Sequence, residues 1–476
     1  MRLVKIKLIL LELITILGEI YNMRSFGFKH FRKFEDFPPI DLGSINVLVG
    51  PNNSGKSTFI KALKLMCFNL GRKYKYDFPF YKEFYFPEWA QGFKHHIPHF
   101  APNGDMEFFA SFDEFSFKMV LDNKSVFDSP KERIEKIKLK SIEFCFDKFE
   151  MTALYLFNEN NEGTLSISFS ADKIKETCEK HVRRSWSRIY EKAQEYIRDK
   201  TGSIEFELTA GNEDNNIPPT SNEDHDESKK PNDGKRQILN VLFNELAEYV
   251  FQIGEYHLIS DIPAEGVPTD IIINGKKDNS DNTKPILDFY ELDDSSKTKV
   301  CEWMSSFGIC EEVKVERIDI NIYRAEAKTN GIWQPLGVLG KGSRHLFSLF
   351  VNLNLSLTHS NYFIIFIEEP EQNLHPALQS KLADLIFEVY EIAKIKPTMI
   401  IETHSEYLIR RLQVLVSDHH EDIDKINNDV KVYYFPERGI PYSMNFCPSG
   451  HFEKQFGPGF FDEAGKQYKT ILLKSI

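Results

Sequence analysis

Three short runs of apolar residues stand out in the hydrophobic pattern of the chain, at 45–49, 362–367 and 397–401. Runs of this length in which nearly every residue is apolar are typical of strands buried on both faces, as in a parallel sheet covered by helices. A helical run at 58–68 follows the first of them, and the third leads directly into another helix. The pattern therefore predicts an α/β core in which strand ends meet helix starts.

Other stretches carry the pattern of an antiparallel sheet. Residues 24–42 predict a pair of strands, and residues 106–170 contain short apolar or alternating runs that are separated by turn residues. Residues 314–327 predict one further strand, which precedes a turn at 329–331. The chain is thus expected to combine a parallel core with an antiparallel β-subdomain.

The middle of the chain changes character. Residues 171–200 repeat apolar positions at the helical period, and 237–251 predict a second helix. Between them, 210–236 contain almost no apolar residues, so burial cannot offset the entropy lost on ordering. We expect a helical insertion with a disordered loop at its tip.

A phosphate-binding motif follows the first apolar run. The segment Gly50-Pro-Asn-Asn-Ser-Gly-Lys-Ser fits the pattern G-x-x-x-x-G-K-S between a strand and a helix. In such a loop the backbone N–H groups face phosphate oxygens, the lysine reaches the β- and γ-phosphates, and the serine hydroxyl ligates Mg²⁺. The residues predicted to bind a nucleoside triphosphate are Gly50, Asn52, Asn53, Ser54, Gly55, Lys56, Ser57 and Thr58.

The other two apolar runs end in residues suited to phosphate chemistry. Glu368 and Glu369 end the second run, so one carboxylate can hold the metal and the next can polarise an attacking water. We assign Glu368 as the metal ligand, with Ser57, and Glu369 as the general base. His404 follows the third run, where it can contact the γ-phosphate and orient the water. The alternative for His404 is an ordinary histidine at a strand end, satisfied by its neighbours.

Together these segments resemble a known family. The sequences Gly-Pro-Asn-Asn-Ser-Gly-Lys-Ser-Thr, Ile-Glu-Glu-Pro-Glu-Gln-Asn-Leu-His-Pro and Glu-Thr-His-Ser-Glu-Tyr-Leu look like those of the ABC-type AAA ATPases. That group includes RecF, the SMC proteins and the overcoming-lysogenisation-defect (OLD) nucleases. The Glu-Glu-Pro-Glu form, in place of Asp-Glu-Pro, points to the OLD-like branch. The resemblance covers about residues 23–70 and 330–476, and it implies an ABC-type P-loop fold with ATP and Mg²⁺ as cofactors.

The resemblance also gives a role to the glycine-rich turn before the Glu-Glu strand. A turn of this kind that opens a helix presents backbone N–H groups to an anion, and this one looks like the ABC signature loop. Its nucleotide-binding residues would be Lys341, Gly342, Ser343 and Arg344. The alternative is a plain glycine helix start. One P-loop and one signature-like loop per chain imply a homodimer or a higher homo-oligomer in which each subunit completes the site of another.

The expected domain layout follows from these assignments. Residues 1–22 form an extra N-terminal segment, and 23–170 form an N-terminal ATPase lobe with the β-subdomain. Residues 171–254 form the helical insertion, and 255–476 form the C-terminal ATPase lobe with a short terminal module. The tail after His404 has no convincing Asp-x-Asp set. The resemblance therefore implies a stand-alone ATPase without the Toprim nuclease of the OLD proteins.

Composition narrows the remaining choices. The net charge of −12 argues against a globally basic surface for nucleic acid, although a local basic groove stays open. Six cysteines without C-x-x-C spacing predict reduced thiols rather than disulfides or a zinc site. Glu12 and Glu19 interrupt the apolar run near the N-terminus, which is too short to span a bilayer. We expect a cytoplasmic protein with no membrane partner.

Three functional hypotheses remain from the sequence. The first is an ATPase, with slow turnover allowed, that acts as a sensor or scaffold and switches a separately encoded effector, often a nuclease, in bacterial anti-phage defence. The second is a RecF-like DNA-binding ATPase of repair and recombination. The third is a protein that binds ATP as a structural ligand without turnover. The acidic balance and the absence of long heptad arms in the sequence favour the first.

Overall fold

The structure is a computed structural model of the chain that describes most, but not all, of its residues. The described ranges are 22–70, 83–85, 104–113, 115–122, 136–146, 151–157, 163–170, 201–208, 256–259, 270–272, 284–319, 322–358, 364–418 and 422–474. The chain divides into two compact units. In their described parts, the first contains Leu42–Ile60 and the residues from Tyr256 onward, and the second contains Met23–Asp41 and the residues between 61 and 255.

The secondary structure of these residues is mixed. The strands are β1 (Met23–Phe31), β2 (Phe34–Asp41), β3 (Ile45–Val49), β4 (Glu83–Tyr85), β5 (Met106–Phe112), β6 (Phe115–Leu121), β7 (Lys136–Phe146), β8 (Met151–Phe157), β9 (Gly163–Ser170), β10 (Thr201–Leu208), β11 (Tyr256–Ile259), β12 (Asp270–Ile272), β13 (Glu312–Asp319), β14 (Ile322–Thr329), β15 (Ile332–Pro335), β16 (Ile364–Glu368), β17 (Thr398–Glu402), β18 (Val430–Tyr434) and β19 (Tyr442–Ser443). The α-helices are α1 (Lys56–Leu70), α2 (Lys284–Glu291), α3 (Asp294–Ser306), α4 (Lys341–Thr358), α5 (Pro376–Ile392), α6 (Glu406–Asp418), α7 (Ile423–Asp429) and α8 (Glu463–Lys474), and a 3-10 helix spans Leu336–Val338.

The first unit is built on a sheet of strand order β11-β16-β17-β3-β18-β19. All its neighbours pair in parallel except β18 and β19. Every residue of β3 and of β17 is buried, which is why their sequences show continuous apolar runs rather than alternation. The predicted parallel strands and the helix predicted at 58–68 are confirmed.

The core of this unit lies between the sheet and its helices. Ile365 and Ile367 of β16, Ile401 of β17, and Phe347 and Phe350 of α4 belong to one hydrophobic cluster, and each is completely buried. Burying an apolar side chain of this size contributes about 1.5–3 kcal/mol. The cluster fixes the height of the strands against the helices, and so fixes where the strand ends lie.

The second unit contains the antiparallel sheet, with the strand order β10-β9-β8-β7-β6-β5-β1-β2 and with β4 on β7. Strands β5 and β6 alternate strictly between buried and half-exposed residues, as a half-buried sheet requires. Phenylalanines fill the buried face, and the rings of Phe28 and Phe37 stack at 4.7 Å. The predicted antiparallel β-subdomain is confirmed, as is the strand pair predicted at 24–42.

Two features differ from the sequence-based expectation. The range 314–327, predicted to be one strand, is instead part of the antiparallel pair β13 and β14. The alternation of apolar residues continues from Ile318 to Ile322 in the sequence, so the pattern does not separate the two strands. Strand β10 was not predicted. It lies inside the range 171–254 that was assigned to the helical insertion, and it pairs with β9, which precedes that range.

Several predictions concern residues outside the described ranges. They are the extra segment at 1–22 apart from its last residue, the helices at 171–200 and 237–251, and the disordered loop at 210–236. In the part of the chain that the structure does describe, no helix combines the length and the apolar character that crossing a membrane requires.

Asn46 gives a test of how the parallel sheet is held together. Its side chain is completely buried in β3. Its Oδ1 accepts from the N–H of Gly43 at 2.8 Å, and its Nδ2 donates to the carbonyls of Gly43 at 2.7 Å and Met399 at 3.1 Å. We expect Asn46→Leu to lower the free energy of unfolding by about 2–4 kcal/mol, because buried polar backbone groups lose their partner.

Asn352 is the matched control for this measurement. It is also buried, but its Nδ2 donates only to the carbonyl of Ser348, one turn earlier in the same helix. That carbonyl keeps its helical hydrogen bond, so Asn352→Leu should cost less than about 1 kcal/mol. Equal losses in denaturant unfolding for the two variants would contradict the role given to Asn46.

Candidate nucleotide-binding site

The predicted phosphate-binding loop joins the end of β3 to the start of α1. Gly50 directly follows the strand with a φ of 147°, a conformation that strongly favours glycine. A Cβ at Gly50 would lie 2.2 Å from the carbonyl oxygen of Phe435, so a side chain has no room there. The chain turns back on itself at this point, and α1 begins at Lys56.

Inside the loop, polar groups lie buried. Lys56 is only 3% exposed, and its Nζ donates to the carbonyls of Gly50 at 2.9 Å and Pro51 at 3.0 Å. The Oγ of Ser54 is also buried, and it has no hydrogen-bond partner among the residues that the structure describes. An ammonium bonded to neutral carbonyls and an unsatisfied hydroxyl are both groups that an anionic ligand can satisfy. The loop therefore fits a phosphate group.

The remaining predicted loop residues lie in the same turn. Asn52 and Asn53 are exposed, and Asn53 has a left-handed backbone with φ of 61°. Thr58 is buried, and its N–H donates to the carbonyl of Gly55 at 3.1 Å as the helix begins. The loop residues that the sequence predicts are thus brought together, and their binding role stays a prediction.

Two glutamates face each other at the ends of neighbouring strands. Glu368 of β16 lies directly opposite Glu402 of β17 in the parallel register. The Oγ of Ser57 donates to both carboxylate oxygens of Glu402, each at 3.0 Å. Lys56 Nζ lies 3.8 Å from Glu402 Oε1. Glu402 is therefore a member of the site that our sequence assignments did not include.

The electrostatics of Glu402 reflect these neighbours. Burial raises the pKa of its carboxyl, while the Lys56 ammonium and the hydrogen bond from Ser57 lower it. The nearby carboxylates of Glu368 and Glu369 raise the pKa further. Carboxylates gathered around one lysine form a place where added positive charge is stabilised. The sequence signal for Glu402 was an acidic residue ending an apolar strand, the same signal that identified Glu368.

Glu369 has an unusual backbone. Its φ is 46°, a left-handed value that is uncommon for a residue other than glycine and that costs about 1–3 kcal/mol. Its N–H donates to the carbonyl of Glu402 at 2.8 Å, which ties the turn after β16 to β17. Its Oε1 lies 3.9 Å from Nε2 of His404. Glu369, the predicted general base, and His404, which is predicted to contact the γ-phosphate, are therefore adjacent.

The charge state of His404 follows from its surroundings. Burial and the nearby Lys56 ammonium lower the pKa of its imidazole, and Glu369 opposes them only in part. The ring is therefore neutral at neutral pH, with one nitrogen able to donate and the other able to accept.

A second residue that the assignments missed holds the loop of His404 in place. The carboxylate of Glu371 accepts a hydrogen bond from the backbone N–H of His404 at 2.6 Å. Burial raises the pKa of this carboxyl, and the hydrogen bond from His404 lowers it. Glu371 thus links the turn that carries Glu369 to the turn that carries His404. Its signal in the sequence was its place in the Glu-Glu-Pro-Glu segment.

The donor set also fits a divalent cation of the magnesium type. Ser57 and Glu368, the predicted ligands, both present hard oxygen atoms near the buried loop, and Glu402 adds a third. Among the described residues, no group of three histidine, cysteine, aspartate or glutamate side chains forms a self-contained metal site. Magnesium usually takes one or two protein carboxylates and completes its shell with phosphate and water.

The signature-like turn is positioned by a close backbone contact. The glycine-rich segment opens a helix, as predicted. This helix, α4, begins at Lys341, and Gly342 in its first turn is buried. A Cβ at Gly342 would lie 2.7 Å from the carbonyl oxygen of Asn373, in the turn that follows Glu369. The first turn of α4 therefore rests on the turn after β16. The resemblance predicts that Lys341, Gly342, Ser343 and Arg344 bind the nucleotide of a second copy of the chain, and this role stays a prediction.

Comparison with known proteins places the chain in a family. Residues 23–409 match the family model of the AAA ATPase domain, and the chain belongs to that family. No curated protein matches the chain.

Solved structures that resemble the chain include heads of SMC proteins. One is the SMC head domain from Thermotoga maritima, at 11% identity over 90% of this chain and 99% of that chain, with a TM-score of 0.35. Another is the Smc head with an extended coiled coil bound to the C-terminal domain of ScpA, derived from Pyrococcus furiosus, at 10% identity over 95% and 100%, with a TM-score of 0.37. A third, the SmcHead bound to the C-winged helix domain of ScpA, has 11% identity over 89% and 97% and a TM-score of 0.35. The likeness is too distant to inform activity or partners.

Gly342 and Gly340 form a matched pair for testing the position of the signature-like turn. Alanine at Gly342 brings its Cβ against Asn373, whereas nothing lies within 4 Å of a Cβ at Gly340. We expect Gly342→Ala to lower the free energy of unfolding by about 1–3 kcal/mol, even though alanine favours helix over glycine. Gly340→Ala should stay within about 0.5 kcal/mol of the native protein. Indistinguishable thermal unfolding of the two variants would rule out the contact.

Proposed function

We propose that the chain is an ATPase that binds ATP with Mg²⁺ at the loop 50–58 and hydrolyses it. The observation that carries the proposal is the meeting of three distant segments. Lys56 lies 3.8 Å from Glu402, the N–H of Glu369 reaches the carbonyl of Glu402 at 2.8 Å, and Glu369 lies 3.9 Å from His404. Membership of the AAA ATPase domain family supports the same function.

In this proposal the loop binds the triphosphate. Lys56 exchanges the carbonyls of Gly50 and Pro51 for phosphate oxygens, which are stronger acceptors because they are charged. Ser57 and Glu368 hold the magnesium ion. When bound, Mg²⁺ neutralises charge on the phosphates and orients them.

Glu369 and His404 then act on the water. Glu369 takes a proton from the water while the oxygen of the water bonds to the γ-phosphorus. The bond between the γ-phosphorus and the bridging oxygen breaks, and that oxygen leaves with ADP. The neutral imidazole of His404 keeps one N–H, which can donate a hydrogen bond to the γ-phosphate. The strained backbone of Glu369 holds its carboxylate in place before the reaction.

The active form is proposed to be a homodimer, or a ring of dimers. The first turn of α4 offers Lys341, Gly342, Ser343 and Arg344 to the ATP of a second copy, as the signature resemblance implies. The contact of Gly342 with the turn after β16 then connects that surface to the residues that act on the water. ATP binding would close the pair, and hydrolysis would open it.

The cellular role we propose is that of a cytoplasmic sensor or scaffold that switches a separately encoded effector in anti-phage defence. The supports are the OLD-like Glu-Glu-Pro-Glu segment and the net charge of −12. The test is purification of the tagged protein from its native host, with and without phage challenge. Recovery of a stoichiometric effector protein supports the proposal. Recovery of DNA alone, released by moderate salt, would favour the repair ATPase instead.

Glu369→Gln tests the general base. The amide keeps the size of the side chain but cannot take a proton, so we expect ATP turnover to fall at least about 100-fold while bound ATP is retained. Glu437→Gln makes the same chemical change in an exposed turn and should leave turnover unchanged. Native turnover in Glu369→Gln, measured as phosphate release, would remove Glu369 from this role.

Glu371 tests whether the two turns must be held together. Glu371→Leu removes the acceptor for the N–H of His404, so kcat should fall about 10- to 100-fold while the KM for ATP changes less than about threefold. Glu371→Gln keeps an oxygen acceptor and should retain most of the native kcat. If the glutamine variant is as slow as the leucine variant, the hydrogen bond is not what matters.

A further inference from the structure

Glu402 has contacts that the usual parts of a P-loop site do not explain. It lies at the end of the strand next to β3, with 5% of its surface exposed. It accepts the Ser57 hydroxyl on both oxygens at 3.0 Å and lies 3.8 Å from Lys56 Nζ. The residue thus touches both groups that the proposed ATP site assigns to phosphate and to metal.

We propose that Glu402 makes nucleotide binding dependent on a divalent cation, because it orients the Ser57 hydroxyl for that cation and repels phosphate that arrives without one. The inference rests on the proposed function, since it assumes that ATP binds at this loop. It goes further by assigning a specificity role to a residue that our sequence assignments left without one.

The Ser57 hydroxyl is oriented by its hydrogen bond to Glu402. A hydroxyl has one proton to donate and two lone pairs to offer. Because Glu402 takes the proton, the lone pairs of Ser57 Oγ are left for a cation. A serine that donated its proton to phosphate would have no such fixed orientation. Glu402 therefore acts on the cation through Ser57, as a positioning residue.

The carboxylates around Lys56 outnumber its single positive charge. The hydroxyl of Ser57, at 3.0 Å from both oxygens, and the ammonium of Lys56, at 3.8 Å, are neighbours that favour a charged carboxylate at Glu402. Lys56 brings one positive charge, and Glu402 offsets it, while Glu368 and Glu369 add further negative charge close by. Without a cation the site therefore carries a net negative charge, and it repels a triphosphate, which is also negatively charged. A divalent cation that enters with the nucleotide removes this repulsion.

The backbone of Glu402 is held in place by the sheet. Glu402 is the last residue of β17, paired in register with Leu48 of β3 and with Glu368 of β16. Its backbone is held from both sides by strands, and its carbonyl accepts from Glu369. The carboxylate has little freedom to move away when phosphate arrives, so its charge has to be compensated where it stands.

The test is equilibrium binding of a fluorescent, slowly hydrolysed ATP analogue, measured once with Mg²⁺ and once with EDTA. For the native protein we expect binding with Mg²⁺ to be much tighter than binding in EDTA. In Glu402→Gln this preference should shrink at least about 10-fold, mainly through tighter binding in EDTA, because one repelling charge is gone. Glu402→Asp keeps the charge, so its preference should stay within about threefold of the native value.

The outcomes separate the inference from the proposed function. An equal preference in the native protein and in Glu402→Gln, or a native protein that binds equally well in EDTA, overturns the inference and leaves the ATP site intact. A native protein that binds the analogue in neither medium overturns both. If Glu402→Gln does not fold by circular dichroism, Glu402→Ala gives the second measurement. Its preference for Mg²⁺ should shrink in the same way, and a native preference in this variant would overturn the inference.

Discussion

The parallel register of β16, β17 and β3 is the constraint on which the candidate site depends. In this register Glu368 lies opposite Glu402, and Glu402 lies opposite Leu48, one residue before β3 ends. A shift of one residue would turn each of these side chains to the other face of the sheet. The continuous apolar sequences of the strands bury both faces of the sheet, and Asn46 adds polar contacts that join β3 to β17. Sheet packing thus sets the distances among the charged groups.

The charged groups, once gathered, constrain one another. Lys56 is almost completely buried and is stabilised by carbonyls and by Glu402. The carboxylates around it offset its charge and exceed it, which leaves the site suited to further positive charge. The left-handed backbone of Glu369 is one cost of this arrangement, and its hydrogen bond to Glu402 helps to offset that cost. Strain and uncompensated charge of this kind are typical of functional sites rather than of structural ones.

The sequence predicts the local parts of this site well, because each local part has a short signal. The run at 45–49, the loop that begins at Gly50 and the acidic pair after 362–367 are each contained in a few residues, and the structure has the predicted strand, turn or helix at each. The division of 314–327 between β13 and β14 was missed because the alternation of apolar residues continues from one strand's sequence into the other's. Strand β10 was missed because it pairs with a strand that lies well before it in the sequence.

The missing site residues have a different cause. Glu402 and Ser57 are 345 positions apart, and only the register of the sheet brings them within hydrogen-bond distance. Glu371 reaches the backbone of His404 across 33 positions, through two turns whose shapes no local pattern specifies. Contacts of this kind belong to the tertiary structure, so motif spacing does not reveal them.

A structure determined with Mg²⁺ and a non-hydrolysable ATP analogue would show whether the loop 50–58 is the nucleotide site. We expect the triphosphate to lie in that loop, with Lys56 moved from the carbonyls of Gly50 and Pro51 onto phosphate oxygens. We also expect Glu369 and His404 both to face the γ-phosphate. A nucleotide bound elsewhere on the chain, with Lys56 still on those carbonyls, would contradict the proposed site.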